Sequence, residues 1–361
     1  MIRQSLTSIS SIAAIGADMI IDVRSPSEFA EDHIPGAVNL PVLSDAERAE
    51  VGTIYVQNSA FRARKVGAAL VAANAAQHLQ GELAEMKGDW QPLVYCWRGG
   101  QRSGAFATIL DQVGWRVHFL EGGYRSYRRH VSAALYNAPL QHRIMLLDGG
   151  TGTAKTALLQ HLNDVGAQTL DLEGLAAHRG SLFGATTIDQ PSQKMFESRL
   201  ASSLEALDPA RLTWVEGESS KIGARIIPPA LWESMRAAPR IEISAPLSAR
   251  AAFLATAYSD LTDNATALIR KIEHLRAYHS SATIGEWQML ARSGDWQTLA
   301  EQLMSQHYDP RYLKSQARAE QKPHLLSLKD MDTHTLAAPA RHVHARSNWR
   351  VSAPNLLTIY R

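Results

Sequence analysis

Twice along this chain a short, continuously apolar run ends in a glycine-containing loop that leads straight into a helix-like stretch. Leu93-Val94-Tyr95 runs into Cys96-Trp97-Arg98-Gly99-Gly100-Gln101-Arg102-Ser103, and Ile144-Met145-Leu146-Leu147-Asp148 runs into Gly149-Gly150-Thr151-Gly152-Thr153-Ala154-Lys155-Thr156. A strand that is apolar at every position has both faces buried, the condition of a strand inside a parallel sheet covered by helices. Residues 19–23, 37–40 and 117–120 read as further strands, alternating with helix-like stretches at 27–31, 62–74 and 104–110. That alternation predicts an α/β fold, with functional loops at the carboxyl ends of the strands.

The chain has 361 residues, 45% hydrophobic and 20% charged, which suits a well-packed soluble protein long enough for two domains. Asn137-Ala138-Pro139-Leu140 reads as a linker. We therefore expect a first parallel-sheet domain over 1–136 and a second α/β domain over 141–248. A mostly helical region, 249–361, should pack on the second, because Leu268, Ile269, Ile272 and Leu275 recur at helical spacing. One cysteine excludes an intramolecular disulfide and a cysteine-based zinc cluster, and agrees with a reducing compartment. Ser10, Ser11, Gly16 and Asp18 interrupt the apolar stretch 9–21, so neither a membrane span nor a signal-peptide core is expected. A cytoplasmic protein with no membrane partner and no resident metal is the expectation.

Cys96 stands where a strand gives way to a helix, facing two glycines and two arginines. Backbone N–H groups there, with Arg98 and Arg102, favour a thiolate and an anion brought to it. A buried, inert cysteine is the competing reading, better suited to mid-strand or mid-helix. In the second loop, Lys155 and Thr156 follow the glycines as in a phosphate-binding loop. Backbone N–H groups around Gly149 and Gly152 would cradle phosphate oxygens, Lys155 would neutralise them, and the Thr156 hydroxyl can ligate magnesium. Ala154 replaces the usual glycine before the lysine, which restricts the torsions of the loop and leaves its nucleotide preference open.

Glu216 and Glu218 follow the apolar run 212–215, where a carboxylate can act near a metal-bound water or as a base; solvated carboxylates at a strand end are the alternative. His178, Arg179 and Ser181 lie in a small-residue segment suited to an anionic ligand or RNA. Positive charge gathers at Arg62, Arg64 and Lys65 and at Arg125, Arg128 and Arg129, which are candidate phosphate contacts on charge alone. Tyr124 and Tyr127 suit either stacking on an unpaired base or packing.

Asp22-Val23-Arg24-Ser25-Pro26-Ser27-Glu28-Phe29 and His33-Ile34-Pro35-Gly36-Ala37-Val38-Asn39-Leu40-Pro41 resemble the amino-terminal signature of rhodanese domains, with Cys96 where their catalytic cysteine lies. Together with segments 96–103, 171–181 and 215–223, nearly the whole chain resembles the bacterial tRNA 2-selenouridine synthase family, a rhodanese-like domain fused to a P-loop domain. The resemblance implies a two-stage replacement of sulfur by selenium at the wobble 2-thiouridine of lysine, glutamate and glutamine tRNAs. First the sulfur is alkylated by geranyl diphosphate; then selenophosphate, from a separate source, supplies selenium. These co-substrates, with no tightly bound prosthetic group, are what the resemblance implies. Cys96 would be nucleophile or selenium carrier, with Arg98, Gly99, Gly100 and Arg102 holding selenophosphate. Gly149, Gly152, Lys155 and Thr156 would hold the diphosphate, beside Glu216 or Glu218.

Three other readings use the same residues. A sulfurtransferase coupled to a nucleotide-dependent P-loop activity predicts nucleotide turnover. Cys96 and Arg102 also have the spacing of a phosphatase loop, though no acid follows in the loop to protonate a leaving group. An RNA-binding module predicts that Cys96 is dispensable and that tRNA binding falls steeply with salt.

Overall fold

A computed structural model describes residues 1–181, 183–185, 187–259, 265–316 and 323–345. The chain forms two compact units, Met1–Ala138 with Pro191–Ala206, and Pro139–Gln190 with Leu207–Arg361.

The first unit is built on five strands: β1 (Ile2–Gln4), β2 (Met19–Asp22), β3 (Val38–Asn39), β4 (Pro92–Tyr95) and β5 (His118–Leu120). They lie in the order β1-β5-β4-β2-β3, all parallel. Every residue of β4 is buried, as its unbroken apolar run requires. Strand order reverses between β2 and β4, so the Cys loop leaves the sheet at its topological switch. Ile21, Val94, Phe106 and Leu110 lie in the core.

One helix of this unit is encoded far from the rest. Gln193–Ala206 falls inside the span 141–248 expected for the second domain, yet it groups with the first unit. Its buried Glu197 and Ser198 explain the placement, since both find their partners among residues before Ala138. The boundary expected from the linker alone is corrected accordingly.

The second unit carries β6 (Arg143–Gly149), β7 (Gln168–Leu170), β8 (Leu212–Glu216), β11 (Arg240–Ser244) and β12 (His324–Ser327) in the order β12-β11-β6-β8-β7, again all parallel. A small antiparallel pair, β9 (Lys221–Ile222) and β10 (Arg225–Ile226), stands apart. The helix Lys155–Asp164 buries Leu158, Leu159 and Leu162 in a cluster that includes Met145, Leu147, Trp214 and Ile243. The carboxyl-terminal region does more than cover this unit with helices. It contributes the edge strand β12, and the helix Thr333–Ala345 buries Leu336 and Val343 in the same core. Residues 346–361 of the expected helical region lie outside the described residues. A separate cluster of Leu268, Ile272, Ile284, Trp287 and Leu299 joins the helices after 265. Among the described residues no helix is long and apolar enough to cross a membrane.

Candidate functional site

The Cys loop sets two donors on one sulfur. Cys96 Sγ accepts a hydrogen bond from the Gly100 N–H at 3.3 Å and from Ser103 Oγ at 3.0 Å, and the residue is 4% exposed. Gly100 is the residue before the helix Gln101–Val113, so the first of these donors belongs to the helix entry. The loop is held from its other side, where the N–H groups of Tyr124 and Arg125 donate to the carbonyls of Cys96 and Trp97 at 2.8 and 3.0 Å. Gly99 has φ +63°, and a Cβ there would lie 2.6 Å from the Leu120 carbonyl oxygen, so only glycine fits.

The two arginines of the loop part company. Arg98 is exposed. Arg102 donates from Nη1 to Glu28 Oε2 at 2.7 Å and from Nη2 to Oε1 at 3.3 Å. Burial alone would raise the Glu28 carboxyl, but Arg102, the Ser25 N–H and Arg48 together outweigh it and hold the group below the usual carboxylate range. The expectation that Arg102 is available to an anion is thus corrected: its guanidinium is committed to Glu28. Glu28 also closes a capping box with Ser25 at the start of the helix Pro26–Glu31, but nothing local to it points to Arg102.

Arg128 is corrected in the same way. It pairs with Glu197, lies 3.8 Å from Asp32, and donates to the Lys194 carbonyl at 3.2 Å. Tyr124 donates its hydroxyl to Asp32 at 2.6 Å under the Arg24 guanidinium, which sits 4.0 Å from its ring, and Tyr127 is fully buried. Packing, rather than base stacking, is the role of both tyrosines. Arg125 and Arg129 are exposed, as are Arg62, Arg64 and Lys65 on the helix Ala60–Gln80.

In the second unit the Gly149–Thr156 loop joins β6 to the helix Lys155–Asp164. Gly152 has φ +80°, and a Cβ there would meet the Arg250 carbonyl oxygen at 3.1 Å. Ala154 adopts the left-handed conformation, φ +55° and ψ 33°, that the usual glycine would take without cost. The alanine therefore keeps the phosphate-loop path and carries the strain. Lys155 Nζ donates to the carbonyls of Gly149 and Gly150 at 2.9 and 3.5 Å. Arg250 braces the loop by donating to the Thr151 carbonyl at 2.9 and 2.7 Å, while Asp309 holds the same guanidinium at 2.6 Å.

Three carboxyls gather beside Thr156. Its hydroxyl donates to Glu173 Oε2 at 3.0 Å, and the Glu173 N–H donates to Glu216 Oε2 at 3.4 Å. Burial, reinforced by the nearby Glu173 charge, pushes Glu216 up to about 8. Burial and the charge of Glu218 raise Glu173 to about 7, and burial raises Glu218 to about 7 against the pull of Lys155. Glu216 and Glu218 were expected here; Glu173 was not, although it lies in the 171–181 segment that carries the family resemblance. Among the described residues no group of three or more histidine, cysteine or acidic side chains could hold a metal ion.

Lys155, Thr156, Glu173, Arg179, Ser181, Glu218 and Arg311 line one open cavity of about 540 Å³. His178 is not among its lining residues: its Nδ1 accepts from the Gly180 N–H at 3.1 Å within the loop. Arg311, Arg250 and His307 escaped the sequence reading because they lie in the helical region, far from any motif. Burial and the charge of Arg311 lower His307 to about 4, so the cationic group it presents to the cavity is its neighbour, not itself.

Residues 8–130 match the rhodanese-like domain family, and residues 142–284 match the tRNA 2-selenouridine synthase AAA domain. The chain is 36% identical to the tRNA 2-selenouridine synthase of Nitrosomonas europaea over 64% of its own length and 61% of that protein's. It is 41% identical to the synthase of Salmonella arizonae, over 64% of each. The match thus spans somewhat under two thirds of these relatives. With the synthase of Shewanella frigidimarina it is 33% identical over 74% of each chain. A thiol loop and a phosphate loop in this order, matched across both units, place the chain in the tRNA 2-selenouridine synthase family.

Proposed function

We propose that this protein converts wobble 2-thiouridine in lysine, glutamate and glutamine tRNAs to 2-selenouridine, by S-geranylation with geranyl diphosphate and then selenation with selenophosphate. The observation that carries the reading is the pairing of chemistries in one chain. One unit aims two hydrogen-bond donors at a single thiol; the other surrounds a lysine-tipped glycine loop with Arg179 and Arg311.

In the first stage the thiocarbonyl sulfur of the uridine forms a bond to the first carbon of the geranyl chain. The carbon–oxygen bond breaks, its electron pair leaves with pyrophosphate, and the N3 proton of the base is released to water. Lys155, Arg179, Arg311 and the loop N–H groups hold that developing charge, so they lower the barrier as the leaving group departs. Magnesium, where it accompanies the diphosphate, would be held from the protein side by the Thr156 hydroxyl and would neutralise phosphate oxygens.

Alkylation turns the sulfur into a leaving group. In the second stage Cys96 Sγ attacks the ring carbon and expels geranylthiolate; the selenium of selenophosphate then displaces Cys96, and water cleaves the phosphorus–selenium bond to release phosphate. A selenium carried on Cys96 instead would require a two-electron oxidation for which no oxidant is at hand. Arg98, exposed in the loop, is the cation this reading assigns to the selenophosphate anion.

Mass spectrometry of nucleosides tests the reading, with thiolated tRNA and purified protein given each donor alone and then both. S-geranyl-2-thiouridine with the first donor and 2-selenouridine with both are the expected products. Unchanged 2-thiouridine, with folded protein shown to bind tRNA, would shift the reading to a sulfurtransferase with nucleotide-dependent activity.

A further inference from the structure

The phosphate cavity has an apolar neighbour. A narrow, open cleft of about 90 Å³ is lined almost wholly by apolar groups, and Leu254, Tyr258 and Tyr308 belong to both its wall and that of the phosphate cavity. Beyond the shared wall it is bounded by Phe183, Leu268, Trp296 and Leu299, which are absent from the phosphate cavity. Leu268 and Leu299 are buried members of the helical core, and Phe183 and Trp296 pack with them, so most of the cleft wall belongs to the packed helices. Such a lining repels a ribose or a nucleobase edge that needs hydrogen bonds, and favours hydrocarbon.

Resting on the diphosphate reading above, we propose that this cleft receives the hydrocarbon chain of the prenyl donor, and that Leu268 and Trp296 meet its terminal unit and set the chain length accepted. The amphiphile would lie across the shared wall, its head on the Gly149–Thr156 loop and its tail among the helices after 265. Each buried carbon contributes about 0.8 kcal/mol, close to fourfold in affinity. A ten-carbon chain that buries all five of its further carbons should therefore bind on the order of a thousandfold more tightly than a five-carbon chain with the same head.

Calorimetric titration of the full chain with inorganic pyrophosphate, dimethylallyl diphosphate, geranyl diphosphate and farnesyl diphosphate, without tRNA, tests the assignment. Ala255→Leu and Ala300→Phe fill the cleft from two partly exposed small residues that lie on its wall and outside the phosphate cavity. Both should bring geranyl diphosphate down to the level of dimethylallyl diphosphate while pyrophosphate binding stays within twofold, which also shows that the variants are folded. Trp296→Ala should selectively strengthen farnesyl diphosphate. Equal binding of the five- and ten-carbon donors, or filled variants that keep the preference, would overturn the cleft assignment alone. Failure of pyrophosphate to bind, or its equal binding to Lys155→Ala, would overturn the diphosphate reading and the cleft with it.

Discussion

Ser198 donates its hydroxyl to Asp32 at 3.0 Å, and the same carboxylate accepts the Tyr124 hydroxyl at 2.6 Å. A residue encoded between two strands of the second sheet thus completes a buried network beside the Cys loop, because Tyr124 also fixes the Cys96 carbonyl through its N–H. Burial raises the Asp32 carboxyl, against the hydrogen bonds from Tyr124 and Ser198. The helix Gln193–Ala206 is in this sense part of the thiol site's foundation.

Breaking this network should be costly. Glu197 is nearly buried and its Arg128 partner is about one-fifth exposed, so Glu197→Ala leaves a mostly desolvated guanidinium without its main partner. We expect a loss of about 2 kcal/mol, below the full cost of a wholly buried pair. Calorimetry should show the first unit melting earlier and the second unmoved. Co-melting of both units, or no shift, would refute the assignment of this helix to the first unit.

The loop arginines should separate in their effects. Arg102→Ala removes the bidentate partner of Glu28 and should destabilise the first unit by about 1–2 kcal/mol. Arg98→Ala should leave stability within about 0.5 kcal/mol and instead raise the KM for selenophosphate roughly tenfold, the loss of one charge-assisted contact. Thermal melts and selenation kinetics on the two variants check this. The reverse pattern would restore Arg102 as the ligand-binding arginine.

Both sheets were legible because β4 and β6 are apolar at nearly every position and each ends in a glycine-containing loop. What the sequence could not show was pairing at a distance. Arg102 and Arg128 look like free cations in a linear reading, and only the fold brings Glu28 and Glu197 to them. Glu173 was hidden for a related reason: its importance comes from desolvation beside Glu216 and Glu218, which no local pattern encodes. The apolar cleft drew its walls from segments on both sides of residue 250, so evenly spread leucines gave no hint of it.

Ala154 offers a test of backbone strain. A left-handed alanine costs about 1–2 kcal/mol relative to glycine, offset here by the packing of its methyl in the core and by glycine's larger unfolded-state entropy. Ala154→Gly should therefore be neutral or stabilise the second unit by up to about 1 kcal/mol. A loss larger than 1 kcal/mol would mean that methyl packing outweighs the torsion. Pyrophosphate affinity should rise in the glycine variant only if the loop must flex to admit the anion.

The carboxyl group of Glu216 should make the second unit sensitive to pH. It is fully buried at the end of β8, and among the described residues its Oε1 has no hydrogen-bond partner. Burial raises it to about 8 in the folded protein, whereas an unfolded glutamate titrates near its ordinary value of about 4.3. Between those values the folded state holds a proton that the unfolded state has released. Stability is therefore fully present at acid pH and lost as pH rises through the folded value, by up to about 1.4 kcal/mol per pH unit for one carboxyl. Glu216→Gln keeps the shape and removes the titration, so the melting temperature of the second unit should fall less between pH 5 and pH 8.5 in the variant, with the largest gain at the alkaline end. An unchanged slope would show that Glu216 is ionised throughout. A gain confined to acid pH would reverse the sign and mean that the Lys155 cation outweighs burial at Glu216.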